Sequence, residues 1–335
     1  MLLPLIGLPA GVGRATRVRY RLCCGHPTDY TSSFKQSTLS VKHLLLFLAL
    51  LVIGSRAELP DISSVPADLV LPETTTGAPA PGKRVRATLT RWRDTSVYHV
   101  LYLPTDWKPA KRYPVIVEWT GNRYQSPTGD ECSGSPEDAK LGYGLSGGAG
   151  CVWLSLPYVN GTGTRNITTW WGDAPQYSPE PTLAYARAAV RFVCDTFGGD
   201  PERIVLAGFS RGAIACNYLG LHDDETAQLW SGFVCYSHYD GVRKWPFPHS
   251  DPGAASARLN RLKGRAQFIC AEGSGADDTR NYLVGTAGIS AAEMTFCSTG
   301  FKNHNDAWIL RPSEARVRLR EWFAKNFGYP AGPAQ

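Results

Sequence analysis

From residue 97 onward, short apolar runs alternate with segments of helical period. Val97–Leu103, Val115–Trp119, Cys151–Tyr158, Arg203–Ala207, Gly232–Tyr236, Gln267–Ala271 and Met294–Cys297 read as strands. Thr182–Phe197, Arg211–Leu221, Asp278–Val284 and Pro312–Phe327 read as helices, the last with Val317, Leu319, Trp322 and Phe323 largely on one side. A strand that is apolar along its whole length is buried on both faces. That pattern predicts an α/β fold: a mostly parallel central sheet with helices on both faces. Apolar residues make up 43% of the 335 residues, enough to build such a core, and no internal repeat is present.

The N-terminal fifth has a different character. Lys42-His43 precedes the ten-residue apolar run Leu44–Ile53, and Ser55 and Ala57 follow it as small residues. The run is too short to span a bilayer, but it fits a secretory signal over 41–57 with cleavage after Ala57. It lies further from Met1 than a signal requires, as it would if translation began at Val41. Residues 1–57 carry seven of the 35 basic residues and one of the 29 acidic ones, which leaves 28 of each in 58–335. The formal charge of +6 therefore belongs to the leader. A broad phosphate-binding surface is not expected on the rest, and no nucleic-acid partner is implied. Once the signal is cleaved, the chain is expected to be secreted or held in the periplasm or cell envelope, without stable membrane insertion. Residues 58–84, rich in Pro, Thr and Ala, read as an arm or linker, 85–328 as a single domain, and 329–335 as a tail.

Seven cysteines follow the leader, with no CxxC spacing that would suggest zinc. Cys235, Cys270 and Cys297 fall in strand-like runs and read as core residues. Cys132 and Cys151 flank a Gly-rich loop and are the one pair to test for a bridge. No metal or organic cofactor is implied.

Gly208-Phe209-Ser210-Arg211-Gly212 matches Gly-x-Ser-x-Gly, and so does Gly144-Leu145-Ser146-Gly147-Gly148. The motif carries chemistry only where a strand enters and a helix leaves, because the serine sits on a strained, sharp turn. Ser210 meets that condition; Ser146 has no strand before it and reads as a loop residue. A serine hydroxyl needs a base, and the base an orienting acid. In the order Ser, acid, His, His304 stands where the base belongs, after the last strand and before the last helix. His238 is the alternative base. The acid is expected after Gln267–Ala271, where Asp277 or Asp278 is available. Asp278 could instead cap the following helix, and Asp240 is a third choice. The oxyanion hole calls for the Arg211 amide and an amide from the loop after Val115–Trp119, at Gly121 or Asn122.

With RIVLAGFSRGA, AEGSGADD and NHNDAW in view, the chain resembles the α/β-hydrolase superfamily over roughly residues 95–328. It is most similar to secreted bacterial serine esterases and to the hydrolase domain of prolyl-oligopeptidase-type peptidases. It departs from them at the oxyanion loop, WTGNRY, and in a long loop over 159–180. The resemblance implies ester or amide hydrolysis through an acyl-enzyme, with a small-molecule or polysaccharide-linked ester as substrate. Trp170 and Trp171 in that loop, with His238 and Tyr239 after a later strand, would line a pocket suited to a carbohydrate-linked or aromatic ester. A packed tryptophan pair anchoring the loop is the other reading. A peptidase lacks here the β-propeller that restricts entry in large relatives. A non-catalytic carbohydrate-binding protein on this fold is the third reading, favoured by ten tryptophans and opposed by the complete set of triad residue types. Asn160-Gly-Thr162 and Asn166-Ile-Thr168 are glycosylation sequons.

Overall fold

The computed structural model describes residues 58–127, 130–273 and 276–328. The signal segment and the C-terminal tail lie outside the described residues. Nine strands form the main sheet: β1 (Thr74–Thr75), β2 (Arg84–Ala87), β3 (His99–Tyr102), β4 (Tyr113–Trp119), β5 (Val152–Leu156), β6 (Gly199–Phe209), β7 (Gly232–Tyr236), β8 (Gln267–Ala271) and β9 (Met294–Ser298). Their order is β1-β2-β3-β5-β4-β6-β7-β8-β9. Only β3 runs against its neighbours β2 and β5; the other pairs are parallel.

Alternate residues of each strand supply opposite faces. Val115, Val117 and Trp119 of β4, with Ile204 and Leu206 of β6, join one core cluster. Its helices are α2 (Glu180–Phe197), α3 (Arg211–Tyr218) and α5 (Pro252–Leu259). Ile116 of β4 and Val205, Ala207 and Phe209 of β6 join the other, under α1 (Leu141–Ser146) and α7 (Glu314–Phe327). Two short helices, α4 (Asp224–Ala227) and α6 (Ala276–Arg280), complete the set among the described residues. The expected α/β architecture is present. On α7, Leu319, Trp322 and Phe323 face the sheet as expected, but Val317 is half-exposed on the outer side. Two positions from Leu319 amount to 200° of helical turn, which carries Val317 away from that face.

Two features contradict composition alone. Glu118 lies in the middle of β4 and is fully buried. Its carboxylate accepts the Lys140, Leu141 and Gly142 amides at 3.0, 3.0 and 2.8 Å, and Trp153 Nε1 at 2.9 Å. It thereby satisfies the orphan donors that open α1. Burial pushes its pKa up to about 7, against the three amides. The 58–84 segment is also more than a spacer. Asp68 and Leu69 donate their amides to Leu310 O, Ile62 donates to Asn303 Oδ1 at 2.8 Å, and Asp68 forms an ion pair with Arg316 of α7. This strap binds the loop that carries His304. No helix among the described residues is long and apolar enough to cross a membrane.

All seven cysteines from Cys132 to Cys297 are free, so Cys132 and Cys151 do not pair. Cys235, Cys270 and Cys297 are buried, as expected. Neither sequon asparagine presents a free amide. Asn160 is buried and accepts the Thr164 and Arg165 amides, while Asn166 brackets Tyr98 through both its N–H and its C=O.

The turn after β6 is crowded. A methyl on Gly208 would lie 2.1 Å from the Gly212 carbonyl, and one on Gly212 would lie 1.9 Å from Trp119 O. Helix α3 therefore packs backbone to backbone against β4 and β6. Gly212→Ala is expected to lower the unfolding free energy by at least ~2 kcal/mol. Gly285→Ala, where nothing lies within 4 Å, is expected to stay within ~0.5 kcal/mol. Urea denaturation of the two variants measures the difference.

Candidate active site

Strand β6 delivers Ser210 into a turn with φ 54° and ψ −113°. A side-chain-bearing residue in that region is strained, at a cost of order 1–3 kcal/mol. The Ser210 amide donates to Tyr236 O at 3.0 Å, and its carbonyl accepts the Ala213 and Ile214 amides of α3. These bonds hold the turn, and the hydroxyl stands at the carboxyl edge of the sheet.

His304 comes from the loop after β9. Its Nε2 is 3.1 Å from Ser210 Oγ, and its Nδ1 is 2.8 Å from Glu272 Oε1. The backbone around it is fixed by hydroxyls: Tyr124 donates to His304 O, and Tyr236 to Asn303 O and Asn305 O. Asp130 accepts from the amides of both Asn303 and Asn305. Three elements remote in sequence, the strap included, thus hold the histidine loop from outside.

The carboxylate at His304 is Glu272, the first residue after β8, and not Asp277 or Asp278. Both aspartates are exposed on α6, one turn too late to reach the imidazole. The strand ends at Ala271, so the side chain that follows it already lies at the edge. Asp240 is no alternative, being buried in an ion pair with Arg258 at 2.8 Å. Burial pushes the Glu272 carboxyl up, but the hydrogen bond and charge of His304 outweigh that and hold it below the ordinary glutamate value. Its contribution to stability is therefore present above the unfolded-state value and lost as pH falls through the lowered one.

Gly121 and Asn122 lie beside the turn. Arg211, the first residue of α3, is buried and spans this region with its side chain. Its guanidinium donates to Trp170 O at 2.7 Å, to Gly121 O at 2.7 Å and to Gly134 O at 3.1 Å. It also lies 3.6 Å from the centroid of the Tyr158 ring. Burial draws its pKa down to about 10, so it stays charged at neutral pH. With the Gly121 carbonyl pinned to Arg211, the Asn122 N–H of the same planar, trans peptide points the opposite way. The Arg211 N–H, at the start of a helix, has no carbonyl one turn back to accept it.

The expected pocket is built differently. Trp171 is fully buried against Tyr218 and Phe247, and Tyr239 is buried with its hydroxyl on Asn217 and Gln267. Trp171 is interior packing, whereas Tyr239, though buried, borders the pocket next to His238. Trp170 is half-buried and packs on Trp245, and His238 stacks on the same Trp245 at 5.4 Å between centroids. Trp245 and Ser237, like Glu272, are residues that motif reading missed. A pocket of about 150 Å³ lies against Ser237, His238, Trp245 and Glu272. Ser146 ends α1, with its hydroxyl donating to Gly142 O. Among the described residues no cluster of His, Cys, Asp and Glu is arranged to hold a metal.

Without β1, the strand order runs first, second, fourth, third, then fifth to eighth, with the second antiparallel and the serine turn after the fifth. The chain has the α/β-hydrolase fold. No protein-family model and no curated protein matches its sequence. Solved structures are similar to it at low identity. A thermostable esterase shares 16% identity at a TM-score of 0.44, over 71% of this chain and 62% of that one. Thermogutta terrifontis esterase 2, phosphorylated by paraoxon, shares 18% at 0.47, over 70% of this chain and 90% of that one. Porphyromonas gingivalis dipeptidyl peptidase 4 shares 14% at 0.44, and there the chain spans only 33% of the other's length.

Glu272→Gln is expected to lower kcat by about 10³–10⁴, as loss of a triad acid does, while Asp277→Asn and Asp278→Asn stay within about twofold. Steady-state kinetics on one ester ranks the three. Glu272→Gln should also flatten the loss of stability on acidification below pH ~4.5, because the titrating group is gone; chemical denaturation across that range reads it.

Proposed function

We propose that this protein is a serine hydrolase that cleaves carboxylic esters through an acyl-enzyme on Ser210. The observation that carries the reading is the line Ser210 Oγ–His304–Glu272, 3.1 and 2.8 Å long, at a strained strand-to-helix turn. In this reading His304 Nε2 takes the Ser210 proton as Oγ bonds to the ester carbon. The carbonyl oxygen becomes an oxyanion facing the Arg211 and Asn122 amides. His304 then returns the proton to the departing alkoxide as the C–O bond breaks. Water repeats the sequence on the acyl-enzyme and releases the acid and free Ser210. Glu272 keeps Nδ1–H directed away from the serine and stabilises the imidazolium.

The half-buried Trp170, packed on Trp245, supports an aromatic or carbohydrate-linked ester as substrate. Export of the enzyme is supported by the Lys42–Ala57 sequence pattern.

Wild-type protein should be labelled by a fluorophosphonate and should turn over a p-nitrophenyl ester. Ser210→Ala should lose the label and lower kcat by a factor on the order of 10⁶, and Ser146→Ala should retain both. Hydrolysis of a dipeptide naphthylamide at a rate comparable to the ester would move the reading to a peptidase. Ester turnover that survives Ser210→Ala would end it.

A further inference from the structure

Ser237, the residue after β7, stands at the centre of the hydrogen bonds around His304, and the chemistry above does not use it. Its Oγ is 2.8 Å from His304 Nδ1, 3.1 Å from Glu272 Oε1 and 3.1 Å from His238 Nδ1. A hydroxyl has one proton to give and two lone pairs to receive. The ionised carboxylate can only accept, so the Ser237 proton goes to Glu272 and the lone pairs face the two imidazoles. His304 then carries its proton on Nδ1, shared between Glu272 and Ser237. That is the tautomer that leaves Nε2 free for the Ser210 proton.

The backbone repeats at Ser237 what it does at Ser210. Ser237 has φ 82°, and its amide donates to Cys270 O at 2.8 Å, as the Ser210 amide donates to Tyr236 O. Two neighbouring parallel strands thus end in a serine held in a left-handed turn, an uncommon state for any residue but glycine. The carboxylate has need of such a partner. Glu272 Oε2 is buried without a hydrogen-bond partner among the described residues, so Oε1 alone anchors it. A glutamate has one more rotatable bond than an aspartate. With only His304 to hold it, its carboxylate could swing as the imidazole changes charge.

We propose that Ser237 is a positioning residue of the triad: its hydroxyl locks the Glu272 carboxylate and His304 Nδ1–H in register, so that Nε2 stays aimed at Ser210 through turnover. This rests on the reading of Ser210, His304 and Glu272 as the catalytic line. The test compares Ser237→Ala with Ser237→Gly in the full chain. Glycine accepts φ 82° without strain, so the Gly variant folds at least as well even if the Ala variant does not. Both variants are expected to lower kcat by about tenfold with KM within about twofold. The His304 Nδ1–H proton resonance, followed by NMR in the Ser210→Ala background, is expected to shift and to exchange faster with solvent when Ser237 is replaced. A Gly variant with wild-type kcat, or a resonance unmoved by either substitution, overturns the proposal. Ester turnover surviving in Ser210→Ala alone would instead overturn the reading beneath it, since the resonance is measured without activity.

Discussion

The buried Arg211 guanidinium is the interaction on which the edge of the sheet depends. Among the described residues it has no carboxylate partner. Three backbone carbonyls and the face of Tyr158 take the place of one. Those carbonyls belong to the loop after β4, the segment near Gly134 and the Trp170 loop. One cation therefore gathers three irregular segments around the Ser210 turn. A lysine could not do this, since the planar fork offers several fixed donors where an ammonium offers a point charge. Placing the arginine next to the serine in sequence makes the clamp and the Ser210 turn share one rigid helix start.

Around that clamp, four successive strands each contribute one group at their carboxyl ends: Ser210 after β6, Ser237 after β7, Glu272 after β8 and His304 in the loop after β9. Parallel register sets their order along the edge, because Phe209 pairs with Tyr236, Tyr236 with Cys270 and Ala271 with Ser298. The sheet is thus the ruler that spaces the polar groups. The two core clusters on its faces provide the stiffness, through fully buried side chains such as Trp119, Trp153 and Trp308.

Much of this was legible from residues alone. Apolar runs locate the strands because parallel strands are buried on both sides, and the Gly-x-Ser-x-Gly turn stands out because its glycines sit where no side chain fits. Chain order leaves four histidines after Ser210, and the position of His304 between the last strand and the last helix points to it as the one beside the serine. Glu272 was harder to read. It directly abuts a strand-like run, and two aspartates further on look like better loop residues. The strand's length decides the matter, and one residue of uncertainty at its end moves the acid. Trp171 fills the core rather than a pocket, and an aromatic in a loop does not declare in the sequence which of the two it does. The strap over 58–73 looks like a linker because its apolar anchors Ile62, Val65, Leu69 and Leu71 follow no regular period and its other contacts are made by backbone groups and a few polar side chains.

That strap has a consequence for how the protein is made. The bond from Ile62 to Asn303 joins residues 241 positions apart, and the Asp68–Arg316 pair joins residues 248 apart. The first described residues to leave the ribosome are among the last to find their partners. Contacts of such long range are slow to form, because the chain between them must be ordered first. A nascent or truncated chain ending before residue 299 lacks Asn303, His304 and Arg316, so the strap has nothing to tie to and the line from Ser210 through His304 to Glu272 cannot form. Docking of the strap is deferred until the histidine loop and α7 have been made.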